Sequence, residues 1–118
     1  DRHQFARLAG AGGWAASARD YWAFAAAPRD PRLFDAPQGV GDAADFYRLG
    51  WHAWTYPDEG SGEAYITHAG FMAGIFSFAA RFPDGMTVVV LYNGDVPNGL
   101  TAFHRLRALV CESLGCRF

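Results

Sequence analysis

Lysine is absent from the 118 residues, so a mechanism that needs a lysine base cannot be run by this chain alone. Cysteine is scarce. Cys111 and Cys116 sit five apart, which is not a zinc spacing, and no other cysteine or suitably placed histidine completes a site. A buried Cys111 and an exposed Cys116 are favoured over a disulfide, and no metal or cofactor is expected. No apolar run approaches the roughly 20 residues that cross a bilayer. The formal net charge of −2 and the lack of a basic cluster speak against a nucleic-acid partner. No signal-peptide pattern is present and the chain opens at Asp1 rather than methionine. A processed product or a fragment is therefore expected, with the compartment left open.

What is present is apolar and aromatic: 51% hydrophobic residues and 16% aromatic residues mark a globular chain, one domain or part of one. A chain of this size buries about 65% of its unfolded surface, enough for one modest core. The rest is organised around residues 65–93, which read as three antiparallel strands. The first carries His68-Ala69-Gly70, the second spans about 74–82 and the third 86–92. Pro83-Asp84-Gly85 closes the last pair, with proline presetting φ, aspartate bonding its own backbone and glycine accepting positive φ.

Upstream, Ser17-Ala18-Arg19-Asp20 is a capping-box pattern that opens a helix over about 17–27, stopped by Pro28. Ser17 has no base nearby, so it is expected to cap rather than attack. Residues 28–46 are punctuated by proline and glycine and read as a long crossing. Residues 47–55 alternate as the first strand, and 56–62 form a turn-rich tip. Phe76, Phe78, Ala80 and Phe82 share one face of the next strand. Val88-Val89-Val90-Leu91 is apolar without alternation, the pattern of a central strand covered on both faces. A final helix over about 100–114 buries Phe103, Leu106, Leu109, Val110 and Leu114, with Arg105 and Arg107 outward and Gly115 as C-cap. The expected fold is α+β: a four-stranded antiparallel sheet, about 47–93, with an N-terminal and a C-terminal helix. Trp51 and Trp54 are core residues; His3, His52 and His104 are surface or partly buried.

Several patches resemble one family. Gly12-Gly13-Trp14 with Ser17-x-x-Asp20 is similar to the GG-hydrophobic-S/T-x-x-D helix start of the serine β-lactamase/penicillin-binding-protein superfamily. The nearest branch is the class C β-lactamase-like esterases and D-aminopeptidases. Leu49-Gly50-Trp51 resembles that branch's GLGW strand, and Tyr65 to Gly70 followed by Gly74 resembles its H-[TS]-G-G-x-P-G-[FY] motif. Phe82-Pro83-Asp84 and Val88 to Asn93 resemble its FP-D…VVVLSN ending. The resemblance implies that 1–118 is the C-terminal portion of a β-lactamase-like domain, with helices on both faces of its antiparallel sheet.

It further implies a nucleophile in Ser-x-x-Lys and a second element in Tyr-x-Asn, both upstream. Neither is here: Ser17, Ser61, Ser77 and Ser113 lack a lysine three residues on, and Tyr92 is followed directly by Asn93. The chain supplies the third element. His68 stands at the family's Lys/His position, as a cationic or hydrogen-bonding group that holds a substrate carboxylate. Ala69 replaces the usual Thr or Ser, Gly70 allows close approach of substrate, and the main-chain N–H of Phe71 belongs to the oxyanion hole. Phe71 also replaces a small residue at the cleft, Ala73 a proline and Ile75 an aromatic.

The expected partner is a small-molecule substrate, once an upstream segment completes the site. A small ester or amide is favoured over a penicillin-like β-lactam, and the chain alone is expected to be inactive. Alternatives are a non-catalytic binding or oligomerisation module on the same fold, and a free-standing ligand-binding β-domain. A strand covered on both faces in a chain with few covering elements also leads to the expectation of an exposed apolar sheet face and of self-association.

Overall fold

The computed structural model describes residues 12, 14–34, 46–55, 64–94 and 96–113, except the side chains of Phe46, Arg48, Thr55 and Cys111. Helix α1, Ala18–Ala26, begins where expected. The Ser17 hydroxyl oxygen accepts the Asp20 N–H at 3.1 Å and donates its own proton to the Asp20 carboxylate at 2.7 Å. One side chain thus satisfies an N–H of the first turn and fixes the acid beside the positive end of the helix dipole. The helix ends two residues before Pro28, whose ring cannot continue it. The crossing is not wholly irregular. Asp30 caps a 3₁₀ turn, Pro31–Leu33, which buries Leu33. The Phe34 carbonyl then accepts the Ala64 N–H at 2.8 Å, tying this turn to the sheet. The remainder of the expected crossing and the tip at 56–62 lie outside the described residues.

The sheet is a sequential antiparallel meander of β1 (Phe46–Arg48), β2 (Trp51–Thr55), β3 (Ala64–Met72), β4 (Ile75–Arg81) and β5 (Thr87–Asn93). The four expected strands are β2 to β5. The stretch 47–55 is not one strand, however: it folds back at Leu49-Gly50, which adds the short β1. Leu49 has φ 49° and Gly50 φ 85°, the pair of positive values that a type I′ two-residue hairpin requires. Pairing of positions 48 and 51 breaks the period-2 alternation at the turn, and the two strands read as one because Leu49 carries no turn signal.

The β4–β5 connection follows its residue chemistry. The Phe82 carbonyl accepts the Gly85 N–H at 3.0 Å, Gly85 takes φ 91°, and the Asp84 carboxylate accepts the Met86 N–H at 2.8 Å. Strand β5 is partly covered on both faces at its middle, Val89 against the α1 side and Val90 against the other, but among the described residues it pairs with β4 alone and is an edge strand rather than a central one. Its apolar run describes its two faces and not the number of its neighbours.

Helix α2, Gly99–Ser113, is capped by Asn98, whose side chain accepts the Thr101 N–H at 3.0 Å. The two helices cover opposite faces of the sheet, each over its own cluster. On the α2 face Trp54, Tyr65, Phe76, Phe78, Ala80 and Phe82 pack with Phe103. On the α1 face Ala25 and Leu33 meet Trp51, Ala53, Ile66 and Ala79. The aromatic row on β4 is therefore core, as are both tryptophans. Within the α2-side core the Trp54 indole N–H donates to the buried Thr67 hydroxyl at 2.7 Å.

Helix α2 departs from the expected stripe at two positions. Leu109 is 57% exposed, because it lies off the face shared by Phe103, Leu106 and Val110. Arg107, one turn beyond Phe103, is on that face instead of outward. Its guanidinium carbon sits 4.0 Å from the Trp54 ring centroid and Nη1 donates to the Tyr65 hydroxyl at 3.4 Å. Burial raises the Tyr65 phenol above its ordinary pKa, with Arg107 opposing. Cys116, Leu114 and Gly115 lie outside the described residues, as does His3.

Candidate functional site

Strand β3 outruns β2. Their register ends at His52↔Thr67, whereas β3 continues paired with β4 to Met72↔Ile75. Residues 68–72 thus have β4 on one side and no registered strand on the other, among the described residues. The direction of their backbone groups follows from two hydrogen bonds that bracket the β4–β5 ladder, Phe82 N–H to Met86 O and Gly94 N–H to Gly74 O, both 2.9 Å. In an antiparallel ladder hydrogen-bonded pairs alternate with non-bonded ones. Phe76, Phe78 and Ala80 therefore spend their N–H and C=O on β5, and Ile75, Ser77, Ala79 and Arg81 on β3. On β3 the bonded partners are Met72, Gly70, His68 and Ile66. Ala69 and Phe71 point their N–H and C=O away from β4, into the edge that β2 has left.

This overhang brings His68, Ala69, Gly70 and Phe71 together as backbone, but divides their side chains. Ala69 packs against the α2-side core. The Phe71 ring lies over Gly99 at the start of α2, where an added β-carbon would stand 2.4 Å from it. Phe71 is accordingly directed toward α2, away from the face that carries His68. Gly70 lies close over its β4 neighbour: a β-carbon there would meet Ser77 Oγ at 3.1 Å, and that hydroxyl donates to the Gly70 carbonyl at 3.4 Å.

His68 heads the overhang within an aromatic group that motif reading does not pick out. Its ring is 6.3 Å from that of Trp51, edge-on, and Nε2 is 3.5 Å from the Tyr47 hydroxyl. Tyr47 also stands 4.7 Å, ring to ring, from His52. Both aromatic neighbours come from the β1–β2 hairpin, whose folding back is the feature the sequence conceals. Burial pushes the His68 imidazole below its ordinary pKa of 6.5, and His52 adds to the shift. At neutral pH His68 is thus an uncharged hydrogen-bonding group, and no carboxylate hydrogen-bonds to it among the described residues.

The described serines are engaged elsewhere. Ser17 caps α1, Ser77 donates to Gly70, and Ser113 donates to the Leu109 carbonyl at 2.7 Å. Among the described residues no group of three or more His, Cys, Asp or Glu side chains could hold a metal ion, and no helix is long and apolar enough to cross a membrane. In comparisons with known proteins, no family model, curated protein or solved structure matches this chain.

Proposed function

We propose that this chain is the C-terminal segment of a serine hydrolase related to the β-lactamases and penicillin-binding proteins. The β3 overhang is one wall of its active site. The observation that carries this reading is the free edge beside His68, with the Phe71 N–H directed into it. An N–H fixed in a strand is already aligned before reaction, which is what stabilising an oxyanion requires. In this reading a serine outside the chain attacks the substrate carbonyl, and Phe71 N–H receives the oxygen as it gains charge. Gly70 lets the substrate lie close to the strand. His68, neutral and beside Tyr47, orients the substrate by hydrogen bonding rather than as a cation. That favours a small ester or amide over a substrate anchored by its carboxylate.

The test compares the 118-residue chain with one extended upstream through a Ser-x-x-Lys motif, assaying a chromogenic ester and a chromogenic cephalosporin. Turnover only by the extended protein, with preference for the ester, is expected. An inert extended protein with a competent upstream motif overturns the reading.

A second reading is a binding or oligomerisation module without chemistry. It is favoured by Ala69, which puts a methyl group into the α2-side core where the resembled motif has a hydroxyl. An upstream reading frame lacking Ser-x-x-Lys selects this alternative.

A further inference from the structure

Both asparagines of the chain, Asn93 and Asn98, precede a glycine. In such a pair the next backbone nitrogen can attack the side-chain amide carbon, and glycine has no β-carbon to obstruct the approach. Both asparagines are exposed. The fold nevertheless treats the two pairs differently.

Asn93 ends β5 and is held in register with Ile75. The Gly94 N–H, on the nitrogen that would attack, donates to the Gly74 carbonyl at 2.9 Å. Reaction at Asn93 therefore has to break a backbone hydrogen bond first. Asn98 precedes α2, and its Oδ1 accepts the Thr101 N–H at 3.0 Å. The Gly99 N–H belongs to the first turn, whose donors have no intrahelical acceptor, and it makes no hydrogen bond among the described residues. The nucleophile is free and the electrophile is polarised. The Thr101 N–H and the positive end of α2 both stabilise charge on Oδ1, the atom that gains it when the amide carbon is attacked.

We propose that Asn98-Gly99 is a self-modification site, at which the folded protein converts asparagine to aspartate or isoaspartate while the sheet locks Asn93-Gly94. The Gly99 nitrogen gives its proton to water or hydroxide and bonds to Asn98 Cγ, and the carbonyl electron pair moves onto Oδ1. That pair returns as the Cγ–Nδ2 bond breaks, and Nδ2 takes up a proton and leaves as ammonia. Water then opens the cyclic imide at either carbonyl. Aspartate keeps the cap and adds one negative charge to the formal −2 at the helix's positive end. Isoaspartate adds a methylene to the main chain just before Gly99, against which the Phe71 ring packs. A change in this turn thus reaches the end of β3. The inference stands whether or not the β3 overhang belongs to a hydrolase.

The test incubates the 118-residue chain in mildly alkaline buffer, with and without urea, and follows each site by peptide mass spectrometry. In the folded protein conversion at Asn98 should outpace that at Asn93 by about tenfold, the factor that one backbone hydrogen bond is worth. In urea the two rates should converge. Asn98→Gln should remove most of the ammonia released by the folded protein, and Asn93→Gln should not. Equal rates in the folded protein, faster reaction at Asn93, or a preference for Asn98 that persists unchanged in urea overturns the inference. So does a folded protein whose Asn98 stays intact while the chain in urea is converted.

Discussion

The ring of Phe71 and the backbone of Gly99 occupy adjoining space so closely that a β-carbon on Gly99 would lie 2.4 Å from the Phe71 Cγ. This contact ties the end of β3 to the first turn of α2, and so links the candidate site's wall to the helix behind it.

Gly99→Ala should therefore destabilise the protein by about 1–3 kcal/mol, as overpacking does. Ordinarily, replacing glycine by alanine in a helix stabilises by up to about 1 kcal/mol. In a Phe71→Ala background the steric term is gone, and Gly99→Ala should become neutral or stabilising. Denaturant unfolding of the four proteins of this cycle measures the coupling; additive effects would mean that the ring does not constrain Gly99.

Arg81 is the buried cation of β4, 6% exposed, and its Nη1 donates to the carbonyls of Ala25 and Pro28 just past the end of α1. Its guanidinium also lies 5.4 Å from the Phe34 ring centroid. Burial, with Arg29 nearby, lowers its pKa, so the carbonyls and the ring are what hold its charge. Arg81→Ala should cost about 1.5–3 kcal/mol, the range for hydrogen bonds to a charged group. The loss should appear first at α1. Hydrogen exchange showing α1 protected as before, with uniform loosening elsewhere, would contradict this role.

Leu49 holds φ 49° in the hairpin turn and is 66% exposed, so no packing compensates the conformation. A left-handed non-glycine residue costs about 1–2 kcal/mol, and asparagine tolerates it better. Leu49→Asn should raise stability by up to about 1 kcal/mol and leave the β1–β2 pairing intact. A drop in melting temperature would show that Leu49 makes a contact that outweighs the strain.

How far the chain could be read in advance differs from element to element for physical reasons. The 82–86 turn was legible because Pro83, Asp84 and Gly85 each perform a local task, and Ser17 because a cap needs only its own helix. The Phe76, Phe78, Phe82 row was legible from alternation. The hairpin at Leu49 was not, since leucine at positive φ is held there by the pairing around it and carries no turn signal. The edge position of β5 was hidden because hydrophobicity reports faces and not hydrogen-bonding neighbours. Arg107 was misplaced because its charge suggested solvent, whereas its side chain lies along Trp54. At the site, His68 and Gly70 stood out by motif, but Tyr47 and Trp51 reach His68 only through the hidden hairpin.

The environment of His68 makes the stability of the fold depend on pH. Its folded-state pKa lies below the unfolded value of 6.5, through burial first and His52 second. Between the two values the unfolded chain binds more protons than the folded one, so stability rises with pH in that window. The contribution is complete above the unfolded pKa and is lost as pH falls through the folded one. Unfolding free energy measured from pH 8 down to pH 5 should decline for the native chain. His68→Gln, which keeps a hydrogen-bonding group but cannot titrate, should flatten that decline. His104→Gln, at an exposed position of α2, serves as the comparison for the substitution itself. Ring proton shifts of His68 followed by NMR give the same quantity directly. A midpoint at or above 6.5 would mean that the imidazole carries a charge at the β3 edge near neutrality, and the preference for an uncharged ester or amide would then lose its physical basis.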